Sequence, residues 1–156
     1  MHYLLLKSLH VLSVVLFLGN IILGVFWKFH ADRNGSLQGR ALTLEGILRS
    51  DRWFTLPAVV AILVTGTWMA TLAHMPIVRT RWLFWALVLF GLSGVAFKVF
   101  VAPLQRNLLA NVRAGLGGSW NESEYRRLSR AWEFWGAVAI LAPTGSLVLM
   151  VLKPDL

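Results

Sequence analysis

Cysteine is absent from the 156 residues. That excludes disulfides, thiolate metal sites, cysteine-held iron–sulfur clusters and covalent haem attachment through a C-x-x-C-H motif. Charge is scarce too, at 14% of residues against 57% hydrophobic, with a mean hydropathy of +0.66. A water-soluble domain of this length has too little interior to hide so much apolar surface. There is no P-loop, no G-x-G-x-x-G, no H-E-x-x-H and no Ser/His/Asp arrangement, which removes the soluble hydrolase and nucleotide-enzyme classes. Acid is scarcer than base, with 7 Asp and Glu against 15 Lys and Arg and a net charge of +8. In a chain this apolar, such a balance reads as basic loops held beside anionic lipid, and no nucleic-acid partner is expected.

Long apolar runs are what the chain has in plenty. Residues 1–29 carry no charge between Val11 and Trp27. At about 1.5 Å per residue, a helix here is long enough for a hydrocarbon core of about 30 Å. A cleavable signal peptide would need a shorter apolar core and a small-residue cleavage site, so this segment is expected to stay as a span. Three more runs follow, and together they predict spans at about 3–28, 53–73, 82–103 and 130–152. Between the first two, Leu37, Ala41, Leu44 and Leu48 share a helical face, which predicts a short amphipathic helix over 37–49 lying on the cytoplasmic membrane surface. Asn121 with Glu124 three residues on is a capping box for the last helix. Pro143 and Gly145 predict a bend within it. The short connection His74–Arg81 makes spans two and three antiparallel neighbours.

The fold expected is therefore an all-α, integral membrane, four-helix up-and-down bundle forming one domain over residues 1–156. Basic residues set its orientation. Lys28, Arg33, Arg40, Arg49 and Arg52 lie in the first connection, and Arg106, Arg113, Arg126, Arg127 and Arg130 around the third. The positive-inside bias places those connections in the cytoplasm and both termini outside. Trp27, Trp53, Trp82, Trp120 and Trp132 are expected in an aromatic belt.

The first span carries the chemistry. Tyr3, Lys7, His10, Val14, Phe17, Ile21, Gly24 and Lys28 share one face. An ionisable group inside a span faces a bundle interior, a cavity or a bound group. A neutral imidazole at His10 can ligate haem iron, or it can hydrogen-bond a facing hydroxyl or carbonyl as glue between helices. Lys7 can meet an anionic group such as a propionate, or snorkel to the interface. His74 is in the same leaflet and is a candidate second ligand, or a plain loop residue. His30 is about 30 Å from His10 along the helix and cannot join it. Lys98 and Glu133, at similar depth, read as an inter-helix ion pair, with a proton relay or an anion clamp as the functional alternative. Gly91 and Gly94 share the face of Lys98 and suit close helix association, within the bundle or in a homo-oligomer.

Several stretches resemble a known family. LLLKSLHVLSVVLFLGN with FWKFHADR, then SDRWFTLPAVVAILVTGTW, then LVLMVLKP resemble the first, second and last spans of the HemJ-type membrane protoporphyrinogen oxidases. A closer likeness is to a bacterial family of four-span integral membrane proteins without an assigned activity, and the copper-resistance CopD-like domains are more distantly similar. The resemblance implies a haem b with His10 as its axial ligand and, for any enzymatic activity, an oxidoreductase. It does not carry over everything. Trp82-Leu83-Phe84-Trp85-Ala86 lacks the lysine of that family's third span, and Gly136-Ala137 stands where an Asn-Glu pair is expected. The alternative is a non-enzymatic scaffold, assembly or copper-handling component in the bilayer. The four methionines form no spaced thioether ladder for copper transfer.

Overall fold

A computed structural model describes residues 2–154, and all the secondary structure among them is helical. Four helices are long and apolar enough to cross a membrane: α1 His2–Asn34, α2 Leu37–Leu72, α3 Arg81–Leu116 and α4 Glu122–Leu152. Only 17% of the most apolar window is buried in α1 and α3, and 28% in α2 and α4. The rest of that apolar surface needs a medium other than water, as four spans in a bilayer would have. Ser36 caps α2 by accepting the Gly39 N–H at 3.2 Å. The expected cap of α4 is present, with Asn121 Oδ1 accepting the Glu124 N–H at 3.0 Å.

One of the helices is longer than the sequence predicts. The stretch Leu37–Ser50 does not lie apart as a surface helix: it runs on through a π-turn at Asp51–Thr55 into Leu56–Leu72. Helix α3 repeats the device, with a π-turn at Phe97–Val101. The cause is proline. Pro57 and Pro103 have no N–H, and each ring would press on a carbonyl one turn back. A π-turn widens the helix just before the ring. The Leu56 N–H turns to the Asp51 carbonyl, and the Ala102 N–H to that of Phe97. Each proline thus sits early in a fresh α-helical segment rather than ending one.

The predicted amphipathic face of 37–49 is real, but it packs on protein. Ala41 and Leu44 are buried, with Leu37 and Leu48 against the same core, together with Leu108, Leu109 and Val112 of α3 and Tyr125, Leu128 and Trp132 of α4. Trp120 and Trp132 belong to this core rather than to a belt, whereas Trp27 and Trp53 face outward. This end of the bundle, which carries the arginine-rich connections, is called the basic end below. At the other, terminal end, α1 pairs with α2 and α3 with α4. No Cα of residues 56–72 comes within 8 Å of one in 81–96 or 122–152. Spans two and three are therefore neighbours only towards the basic end. What joins the pairs midway is side-chain contact, with Phe17 and Phe90 rings 5.6 Å apart.

The ion pair expected between Lys98 and Glu133 does not form. Lys98 is exposed, as are Gly91 and Gly94, where an added Cβ would meet nothing within 4 Å. That face points out of the bundle, where a long lysine side chain can reach a polar interface. Glu133 instead approaches Lys28 at 3.6 Å. Lys28 is 1% exposed and lies 2.6 Å from Asp32, with Ser129 Oγ also against its ammonium. Trp132 and Tyr125 place their rings 5.1 and 5.8 Å from Lys28 Nζ. Tyr125 donates to the other oxygen of Asp32 at 2.5 Å, and Arg40 to the Asp32 backbone carbonyl at 2.9 Å. Helices α1, α2 and α4 thus close on one buried cation.

Two outcomes follow. Lys28→Met strands Asp32 and Glu133 and should destabilise the protein in detergent by about 3 kcal/mol, the low end of the range because both carboxylates keep some solvent contact. Adding Asp32→Asn should recover part of that loss, and Lys98→Met alone should be close to neutral. Single cysteines placed at Gln38 and Ser119 should react from the same side of the membrane, and one at Arg79 from the opposite side. Labelling of 38 and 119 from different sides contradicts the fold.

Candidate functional site

Helix α1 carries His10, Asn20 and Lys28 on or beside its inward face, together with Ser13, whose hydroxyl bonds the helix's own Leu9 carbonyl. His10 and Lys28 are eighteen residues apart, a whole number of helical turns, and Asn20 lies between them. Each meets a partner on another helix, His10 and Asn20 on α2 and Lys28 on α4. His10 is 8% exposed. Its Nδ1 lies 2.9 Å from Thr65 Oγ1 on α2. The Thr65 hydroxyl has one hydrogen, which it gives to the carbonyl of Ala61 at 2.5 Å, with that of Ile62 further off at 3.4 Å. The ring must then supply the hydrogen of the Nδ1–Oγ1 bond. With the proton on Nδ1, the ring donates to Thr65 and Nε2 keeps its lone pair. Gly66 makes room for the ring, since a Cβ there would stand 3.1 Å from His10 Cε1. The small patch Thr65-Gly66-Thr67 is thus used for close contact at its first two positions, while Thr67 turns outward and bonds its own helix backbone.

Of the other residues the sequence singles out, none joins His10. Lys7 is exposed one turn beyond the contact with α2. His74 is exposed in the turn after α2, with a left-handed φ of 52°. Nine residues of helix separate it from Thr65, about 13 Å along the axis. His30 is exposed and stacks on Phe26. Among the described residues, no three His, Asp or Glu side chains gather as a metal site. Two shallow grooves run along the outer surface of α1 and α2 beside His10. One, of about 530 Å³, is lined by Leu9, Val60, Val64 and Thr65 and reaches Arg52. The other, of about 470 Å³, lies between Leu6, Leu9, Trp68 and Leu72. His10 itself lines neither.

The second group was not singled out in the sequence. Asp51 sits at the first residue of the α2 π-turn and is 9% exposed. Thr55 donates to its Oδ1 at 2.9 Å, Asn20 Nδ2 of α1 approaches the same oxygen at 3.5 Å, and Gln105 Nε2 of α3 donates to Oδ2 at 3.2 Å. Asn20 Nδ2 also donates to Thr55 Oγ1 at 2.8 Å. Three helices thus meet on one carboxylate through neutral groups. Asp51 and Thr55 are one helical turn apart and visible as a pair in the sequence. Asn20 and Gln105 come from elsewhere in the chain, and only the fold brings them in.

Comparison with known proteins fits this architecture. No curated protein and no solved structure matches the chain. One family model does, that of the predicted integral membrane proteins designated DUF2269, and it spans residues 4–154, from the first turns of α1 to beyond the end of α4. The chain belongs to that family of integral membrane proteins.

Proposed function

We propose that the protein holds a haem b within the membrane, with Nε2 of His10 as an axial ligand to the iron. The supporting observation is the His10–Thr65–Ala61 relay. Metal-ligating imidazoles commonly give their other N–H to a fixed acceptor, which sets ring orientation and leaves the second nitrogen basic. Thr65 is that acceptor here, and Gly66 lets the ring sit against α2. The donor chemistry suits a haem iron, and the absence of cysteine leaves a non-covalently held b-type group as the compatible form. Space comes from the bundle's division into pairs. Residues 2–34 and 81–96 bring no Cα atoms within 8 Å of one another, so side chains rather than packed backbones fill the region between them. Bound haem would supply one-electron chemistry. The chain's own part is to bind the iron, hold the ring and exclude water. Any enzymatic activity would be that of an oxidoreductase in a lipid environment.

The bland role for the same histidine is a tie between α1 and α2. Its burial at 8% exposure favours that role as well. Purification in detergent after expression with haem precursors, followed by reduced-minus-oxidised spectra and a pyridine haemochrome assay, separates the two. The proposal expects haem in the wild type, a sharp loss in His10→Ala, and haem affinity about 10–100-fold weaker in Thr65→Val, whose ring has lost its acceptor. A colourless wild type, or equal haem per protein in wild type and His10→Ala, ends the assignment. A tie alone predicts only a small loss of stability, about 0.6 kcal/mol for one hydrogen bond between membrane helices.

A further inference from the structure

The Asp51 cluster has more acceptors than donors. Among the described residues its carboxylate receives hydrogen bonds from Thr55, Asn20 and Gln105, all neutral. No lysine, arginine or histidine among the described residues forms an ion pair with it. A buried carboxylate without a counter-charge is unfavourable, and such a group takes up a cation or a proton instead. Beside it lies a second unmet need. Gln105 is 3% exposed, and its Oε1 accepts no hydrogen bond. Its Nε2 faces Asp51 Oδ2 at 3.2 Å, so the orphan oxygen belongs to the amide that meets the carboxylate.

The backbone adds to the surplus. Leu56 gives its N–H to Asp51, and Pro57 has none to give. The carbonyls of Arg52 and Trp53 have therefore lost the donors that an unbroken α-helix would supply. In secondary transporters, backbone carbonyls released where a helix is interrupted help to coordinate small cations. The ligand atoms the cluster can offer are oxygens of the Asp51 carboxylate, the Thr55 hydroxyl and the Gln105 amide, while Asn20 turns its Nδ2 to Asp51 and Thr55 and braces them. Hard cations take oxygen ligands, and one formal charge matches a monovalent ion better than a divalent one.

We propose that Asp51, Thr55 and Gln105, braced by Asn20, form a binding site for a small monovalent metal cation, with Na⁺ as the ion of choice. The cation neutralises Asp51, gives Gln105 Oε1 its missing partner, and ties α1 and α3 to the π-turn of α2. The site is separate from His10 and does not depend on haem.

Binding to the folded state alone raises stability with ligand concentration. The purified protein in detergent is therefore unfolded thermally in NaCl, KCl or choline chloride at equal ionic strength, at several pH values. The expected result is a midpoint that climbs with Na⁺ in the wild type. Asp51→Asn keeps the shape, removes the charge and should give one midpoint in all three salts. Gln105→Met keeps the side-chain volume, loses Oε1 and should show a weakened Na⁺ response while remaining folded. Four results overturn the proposal. They are equal midpoints in Na⁺ and choline at every pH, a Na⁺ response that persists in Asp51→Asn, stabilisation by K⁺ alone, and an Asp51-dependent response to pH with none to Na⁺. The last assigns the compensating charge to a proton. Equal midpoints at every pH leave an ordered water as the partner of Gln105.

Discussion

The burial of the Lys28 ammonium is the interaction on which the assembly of the helix pairs depends. At the terminal end α1 touches α2, and α3 touches α4, but the pairs barely approach each other. Lys28 reaches from α1 to Ser129 and Glu133 on α4, and Asp32 beside it receives Tyr125 of α4 and Arg40 of α2. Desolvating a cation is unfavourable unless partners are close and well aimed. Here two carboxylates and two aromatic faces surround it. Arg40 Nε and Trp132 Nε1, buried next to it, have no acceptor. The cluster therefore fixes where the helices meet more than it adds to stability.

Depth is set in the same way along the whole of α1. Its polar groups at His10, Asn20 and Lys28 are spaced about 15 and 12 Å along the axis. Each bonds to a fixed site on another helix. Apolar surfaces in lipid slide with little change in energy, because lipid and side chain are equally oily. A slip of one turn, about 5.4 Å, would break all three polar contacts together. Register in this bundle therefore comes from a few hydrogen bonds, and the leucines and valines between them carry little positional information.

Much of this could be read in the sequence, and the misses have physical causes. The four spans, the inward face of α1 below Lys7 and the Asn121 cap follow from apolar length, helical period and capping chemistry, which are local. The Lys98–Glu133 pairing failed because an apolar span shows no contrast between its inner and outer faces. Gly91, Gly94 and Lys98 do share a face, but it is the outer one. The true partner was within reach, since Lys28 lies five turns below His10 on the same face; treating it as a loop residue hid it. The Asp51 cluster was missed for another reason. Pro57 reads as a helix start, so Asp51 looks like the end of a loop, and nothing local shows that a π-turn carries the helix through it.

The two longest helices have a thermal consequence. Each has 36 residues, about 54 Å of helix against a hydrocarbon thickness of about 30 Å. The surplus builds a collar at the basic end, with a core around Leu44, Leu108 and Val112 that is buried as in a soluble protein. One chain thus contains two cores with different solvents as their reference. Expulsion of water stabilises the collar, and that force weakens on cooling. The spans are held by packing and hydrogen bonds against lipid, which lack that temperature dependence. Cold loosens the collar first and leaves the spans paired, whereas heating acts on both. The collar is therefore where this protein is sensitive to low temperature, although it holds Leu44, Leu108 and Val112, which are among its largest fully buried side chains.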